Sequence, residues 1–92
     1  MELKRLSITV SGRVQGVGFR YFTEDAAEAL GLTGWVRNTW GGEVEMEVQG
    51  TPDMLEQFIT RINEGPPLSF VRDFHLNEIP VVKDEKGFSV RY

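Results

Sequence analysis

Trp40-Gly41-Gly42-Glu43-Val44-Glu45-Met46-Glu47-Val48 is the stretch on which the fold turns. Glycine accepts positive φ, so Trp40-Gly41-Gly42 predicts a tight turn. Behind it, Val44, Met46 and Val48 alternate with Glu43, Glu45 and Glu47. That period of two marks a strand with one apolar and one acidic face. Ahead of it, residues 34–39 read as a second strand, so the two form a hairpin.

Outward on the N-terminal side, Phe22, Ala26, Ala29 and Leu30 fall at helical spacing. They predict a helix over residues 20–30, closed by Gly31 at C′ with Leu32 as the apolar contact beyond it. Its start has two readings: the helix opens at Arg20, or Thr23 is the N-cap and Arg20 stays in the loop. Further upstream, Leu6, Ile8 and Val10 alternate with Ser7, Thr9 and Ser11 and predict the first strand. On the C-terminal side, Thr51 and Pro52 read as N-cap and N1, with Asp53 suited to the positive end of the dipole. Leu55, Phe58, Ile59 and Ile62 then form one apolar stripe, and Gly65-Pro66-Pro67 ends that helix near Asn63. Residues 70–79 make a fourth strand in which Val71 breaks the alternation and points to a bulge. Phe88, Val90 and Tyr92 make a short fifth.

The order β-α-β-β-α-β-β predicts an α+β protein. It reads as a ferredoxin-like α/β sandwich: an antiparallel sheet of four to five strands with both helices on one face. At 92 residues, we expect a single domain over residues 1–92. Without cysteine, disulfides, thiolate metal sites and cysteine nucleophiles are excluded. His75 is the only histidine, so a multi-histidine metal site is excluded as well. The basic N-terminal residues are followed by no secretory apolar stretch, because Ser7 and Thr9 interrupt it, and no apolar run spans a membrane. We therefore expect a cytoplasmic protein with no membrane partner, and a monomer. The net charge of −4 weighs against nucleic acid as a partner.

The chemistry lies in Gly12-Arg13-Val14-Gln15-Gly16-Val17-Gly18-Phe19-Arg20, which leaves a strand and enters a helix. Backbone N–H groups at a helix start lack intrahelical partners, and glycines let successive ones converge on an anion. Neutral dipoles thus let an acidic protein hold an anion. A cation at the positive end of a helix is unfavourable. Arg20 makes sense there if an anion sits between it and the helix start, where its planar fork matches two phosphoryl oxygens. A Walker loop needs Gly-Lys-Ser/Thr where Gly18-Phe19-Arg20 stands, and the dinucleotide pattern needs glycine at Tyr21. On spacing alone, the anion nest competes with a tight turn that serves packing only.

Gly12 to Arg20 resembles the acylphosphatase signature. So do Gly34-Trp35-Val36-Arg37-Asn38-Thr39, the segment Gly42 to Gly50, and the closing Phe88-Ser89-Val90-Arg91-Tyr92. The resemblance covers essentially the whole chain. It implies a hydrolase that splits acyl phosphates into a carboxylate and inorganic phosphate, with no metal or other cofactor. By the same resemblance, phosphate is cradled by the amides of Gln15, Gly16, Val17, Gly18, Phe19 and Arg20. Arg20 also binds the phosphoryl oxygens, and Asn38 orients the attacking water. The partners implied are a small acyl phosphate, and phosphate or sulfate as product or analogue. Gly18 departs from the pattern, since many members carry a side chain there; Gly41 stands where aspartate is frequent.

The remaining residues have plainer readings. His75 is a surface strand residue, and the glutamate row is a solvated sheet face that discourages edge pairing. Trp35, of parity opposite to Val36 and Asn38, belongs to the outer sheet face or lies beneath a loop, Trp40 is a candidate for flanking the site, and Arg13 and Arg37 read as solvated, with a supporting role in attracting anions as the alternative. Lys83-Asp84-Glu85 reads as a solvated turn. A binding module without turnover is the alternative function. An RNA-binding sheet is disfavoured by the outward glutamates.

Overall fold

In the computed structural model, which describes residues 2–92, the elements follow in the expected order. They are β1 (Lys4–Arg13), α1 (Phe19–Ala29), β2 (Thr33–Asn38), β3 (Val44–Gly50), α2 (Pro52–Glu64), β4 (Phe70–Ile79) and β5 (Phe88–Arg91). Alternation decides which side of each strand faces inward. Leu6, Ile8 and Val10 of β1, Val44, Met46 and Val48 of β3, and Val36 of β2 are all buried. Leu55, Phe58 and Ile62 of α2 close the core from the other side. Phe58 is fully buried, and truncating such a phenylalanine costs about 3–5 kcal/mol.

The sheet order is β4-β1-β3-β2-β5. Every pairing is antiparallel except the last: β5 runs parallel to β2, Gly34 facing Phe88 and Val36 facing Val90. The five-stranded sheet is therefore mixed, not antiparallel as expected. The reason is that β4 and β5 lie on opposite edges, so residues 80–87 must cross the sheet before β5 begins. A crossing connection, unlike a hairpin, permits a parallel partner. The bulge signalled by Val71 is present: Ser11 pairs with Asp73 and Gly12 with Val71, leaving Arg72 unpaired.

The first reading of the α1 start holds. The helix begins at Phe19 with Gly18 as its N-cap, and Thr23 is internal, its hydroxyl donating to the Phe19 carbonyl at 2.8 Å. The inward stripe also differs from expectation, because Thr23 and Ala27 are buried while Ala29 is exposed. At the other end, Gly31 N–H donates to the Glu28 carbonyl and Leu32 N–H to that of Ala27. With Gly31 at φ 67°, this is a Schellman stop, and Leu32 is buried behind it. Thr51 caps α2 by backbone conformation alone, without a side-chain bond.

The segment read as a solvated turn is anchored. Arg5, on the face opposite the helices, is 2% exposed. Its Nη1 and Nη2 donate to the Glu85 carboxylate at 2.7 and 3.1 Å, and its Nε donates to Glu47 at 2.9 Å. Gln49 holds Val82 through both its amide oxygen and nitrogen at 2.9 Å. These bonds clamp the crossing segment to the outer face and place β5 beside β2. On that same face Trp35 carries the Arg91 guanidinium 4.6 Å from its ring centre, as its parity predicts. Arg37 is half exposed and pairs with Glu45 at 2.8 Å. His75 is exposed.

Candidate active site

β1 ends and α1 begins around a loop that must reverse the chain within a few residues. Gly16 and Gly18 do so at φ 73° and 77°, left-handed values that cost glycine no strain. Gly18 is then the N-cap, so no capping side chain covers the helix start. The first turn of α1 holds no acidic residue either. Among the described residues, no acceptor takes the N–H groups of residues 15–21. That end of α1 is unsatisfied and electropositive, as an anion seat must be.

The walls are side chains from three elements. A pocket of about 220 Å³ is lined by Val14, Gly16, Gly18, Phe19, Arg20, Tyr21 and Asn38. Val14 and Phe19 form its buried floor. The structure thus gathers Gly16, Gly18, Phe19, Arg20 and Asn38 of the expected site in one place. Gln15 and Val17 belong to the same loop but do not line the pocket. Val17 packs on the core. The Gln15 amide nitrogen donates to the Thr39 and Glu43 carbonyls at 2.8 Å each. It ties the loop to the β2–β3 hairpin and so sets the distance between Arg20 and Asn38. A larger hollow of about 390 Å³ lies on α2, but Asp53 and Glu56 line it with no cation to meet an anion.

Asn38 ends β2, where the hairpin turns away. Its Oδ1 is buried and, among the described residues, has no hydrogen-bond partner. Buried polar atoms are rarely left so. An unpaired acceptor beside an array of unpaired donors is chemistry waiting for a molecule that supplies both an anion and an O–H group.

A family model described as Acylphosphatase matches residues 6–90. The chain belongs to the acylphosphatase family. An acylphosphatase of Clostridium beijerinckii is 48% identical over 88 residues, covering 96% of this chain and 98% of that protein. The solved acylphosphatase of Bacillus subtilis superposes with a TM-score of 0.93 at 38% identity, covering 99% of this chain and all of that one. An acylphosphatase structure from Coxiella burnetii gives 0.90 at 42% identity, covering 97% and 93%. These likenesses run through the acylphosphatase loop, the hairpin and the last strand together.

Sequence reasoning about this acylphosphatase site missed the residues that brace Arg20. Its Nη1 donates to the Arg91 carbonyl at 3.2 Å, and its guanidinium lies 4.6 Å from the Tyr92 ring centre. The Tyr92 hydroxyl is hydrogen-bonded to that of Tyr21 at 2.9 Å, which holds it above the usual tyrosine range. The only signal available was the resemblance of residues 88–92, which says nothing of what they touch. Trp40, expected to flank the site, is fully exposed; it lines a second hollow of about 290 Å³ with Gln15, Arg37, Asn38, Thr39 and Tyr92.

Proposed function

We propose that this chain hydrolyses acyl phosphates, releasing a carboxylate and inorganic phosphate. One observation carries the reading: unpaired amides, the Arg20 guanidinium and the orphaned Asn38 Oδ1 share one pocket. The phosphoryl group sits on the amides at the start of α1, with Arg20 on its equatorial oxygens. Asn38 Oδ1 accepts one O–H of a water and turns the water's lone pair toward phosphorus. The water oxygen bonds to phosphorus as the phosphorus–acyl oxygen bond breaks, and the carboxylate leaves with the electron pair. A phosphoryl oxygen takes the water's proton, because an amide is too weak a base to do so.

Few groups suffice because the leaving group is good. A carboxylic acid has a pKa of about 4, so its anion departs without protonation. What remains is positioning and charge stabilisation, which a rigid nest and a braced arginine supply. The left-handed Gly16 and Gly18 keep the nest open without stored strain.

No described helix is long and apolar enough to cross a membrane. The reading includes a monomeric, cytoplasmic enzyme; a chain without cysteine suits a reducing compartment. Phosphate release from acetyl phosphate and benzoyl phosphate tests the activity. Turnover of both, unchanged by a chelator, is the expected result. No turnover of either, with phosphate still bound, would instead make the chain a binding module.

A further inference from the structure

We propose that the Arg5–Glu85 pair on the outer face of the sheet is a positioning device for Arg20, acting through β5. The inference rests on the acyl-phosphate reading above, in which Arg20 holds the phosphoryl oxygens, and adds the residues that aim it.

Arg20 is held from outside its own helix. It lies in the first turn of α1, where a cation is unfavourable until an anion arrives. Its Nη1 donates to the Arg91 carbonyl at 3.2 Å, and its guanidinium lies over the Tyr92 ring. The direction of the fork therefore follows the position of Arg91 and Tyr92 along the β2 edge.

β5 fixes that position weakly by itself. It has four residues and a single neighbour in the sheet, and it follows residues 80–87, which belong to no helix or strand. Phe88 is buried, but apolar burial is non-directional and does not hold a strand along its own axis. A slide of about 1 Å is enough to break a bond that already stands at 3.2 Å. Directional bonds upstream prevent it. Two guanidinium nitrogens of Arg5 hold the Glu85 carboxylate at 2.7 and 3.1 Å, and both amide atoms of Gln49 hold Val82 at 2.9 Å. Past them, Gly34 N–H donates to the Gly87 carbonyl at 3.1 Å and Arg91 stacks on Trp35. The connection from Arg5 to Arg20 is thus continuous. Stability does not account for Arg5, which is 2% exposed, because a buried ion pair is often no more stabilising than apolar side chains of the same volume. An apolar residue would fill the space and leave the crossing segment free to shift.

Continuity is not coupling, so the test is a double-mutant cycle between Glu85→Ala and Arg20→Gln. It is read by kcat/KM for benzoyl phosphate and by calorimetric affinity for inorganic phosphate, at a temperature where melting curves show every variant folded. Glu85→Ala alone lowers kcat/KM about tenfold, within the roughly 10² that a misplacement of about 1 Å costs. It weakens phosphate binding less, because the amides still hold the anion. Added to Arg20→Gln it changes neither quantity further, because no guanidinium is left to aim. Glu85→Gln keeps the length and one acceptor oxygen and recovers most of the loss. Should Glu85→Ala not fold, Gln49→Ala releases Val82, removes no charge and shows the same dependence on Arg20. Asp73→Ala breaks the Ser11–Asp73 bond at the other edge of the sheet and leaves activity unchanged. Equal losses with and without Arg20, or no loss at all, overturn the proposal while turnover by the wild type keeps the hydrolytic reading. A wild type that binds phosphate and splits no acyl phosphate overturns the hydrolytic reading, and the affinity arm of the cycle still decides the positioning role.

Discussion

Replacing Asn38 with alanine separates a catalytic role from a structural one. Asn38 Oδ1 is buried without a partner, and none of the side-chain hydrogen bonds among the described residues involves this amide. Folding therefore gains nothing from it and bears the cost of desolvating an acceptor, about 1–3 kcal/mol for a fully buried group. Asn38 borders an open pocket and is only partly buried, so about 1 kcal/mol of relief is the realistic figure. In a domain of this size that raises the melting temperature by about 4–8 °C. Turnover moves the other way. Losing a preorganised polar group at the reacting centre lowers kcat by about 10²–10³, or roughly 3–4 kcal/mol of barrier. Phosphate inhibition persists, because the amides and Arg20 are untouched. The assay pairs steady-state hydrolysis of benzoyl phosphate with thermal melts of both proteins. A variant whose kcat stays within about threefold of wild type refutes the water-positioning role. A variant that melts well below wild type shows Asn38 to be a structural residue.

Arg20→Gln removes a forked, charge-assisted contact; kcat/KM falls by about 10²–10⁴ and inhibition by phosphate weakens. Arg20→Lys keeps the charge without the fork and falls between the two, which initial-rate kinetics will show. Arg5→Met strands Glu47 and Glu85, whose side chains remain 30% and 18% exposed. It costs about 2–3 kcal/mol in urea denaturation, less than a fully enclosed pair would. Its hydrogen bonds from Arg5 hold the Glu85 carboxyl below the ordinary 4.5. The stability it contributes is thus fully present above pH 4.5 and disappears as pH falls through the folded value. Urea midpoints measured down the acid range will show that loss in wild type and a shallower one in Arg5→Met. Equal slopes would mean that the pair does not govern the acid limb.

Legibility followed sequence distance. The glycine turn before α1 was readable because Gly16, Gly18 and Arg20 are near neighbours and a left-handed pair of glycines acts over a few residues, but spacing alone left an anion nest level with a packing turn. Asn38 was reached only through the resemblance of its motif; nothing local to residues 34–39 shows an orphaned oxygen. The bulge was readable too, since Val71 breaks a period of two that depends on one strand alone. Ala29 was misplaced because helical spacing fixes which residues share a face. It does not say which face the rest of the fold will cover, and Thr23 and Ala27 are buried instead.

By itself, then, the chain's linear order determined the elements, their succession, the apolar face of each strand and the glycine-bearing loop between β1 and α1. All of these depend on backbone periodicity and on short-range φ and hydrogen-bond demands. Tertiary structure alone decided the parallel seat of β5, the clamp of Arg5 on Glu85, and the bracing of Arg20 by Tyr92. Those contacts join residues 54 to 80 positions apart. Their partners are chosen by where the sheet brings surfaces together, and no local pattern encodes that meeting.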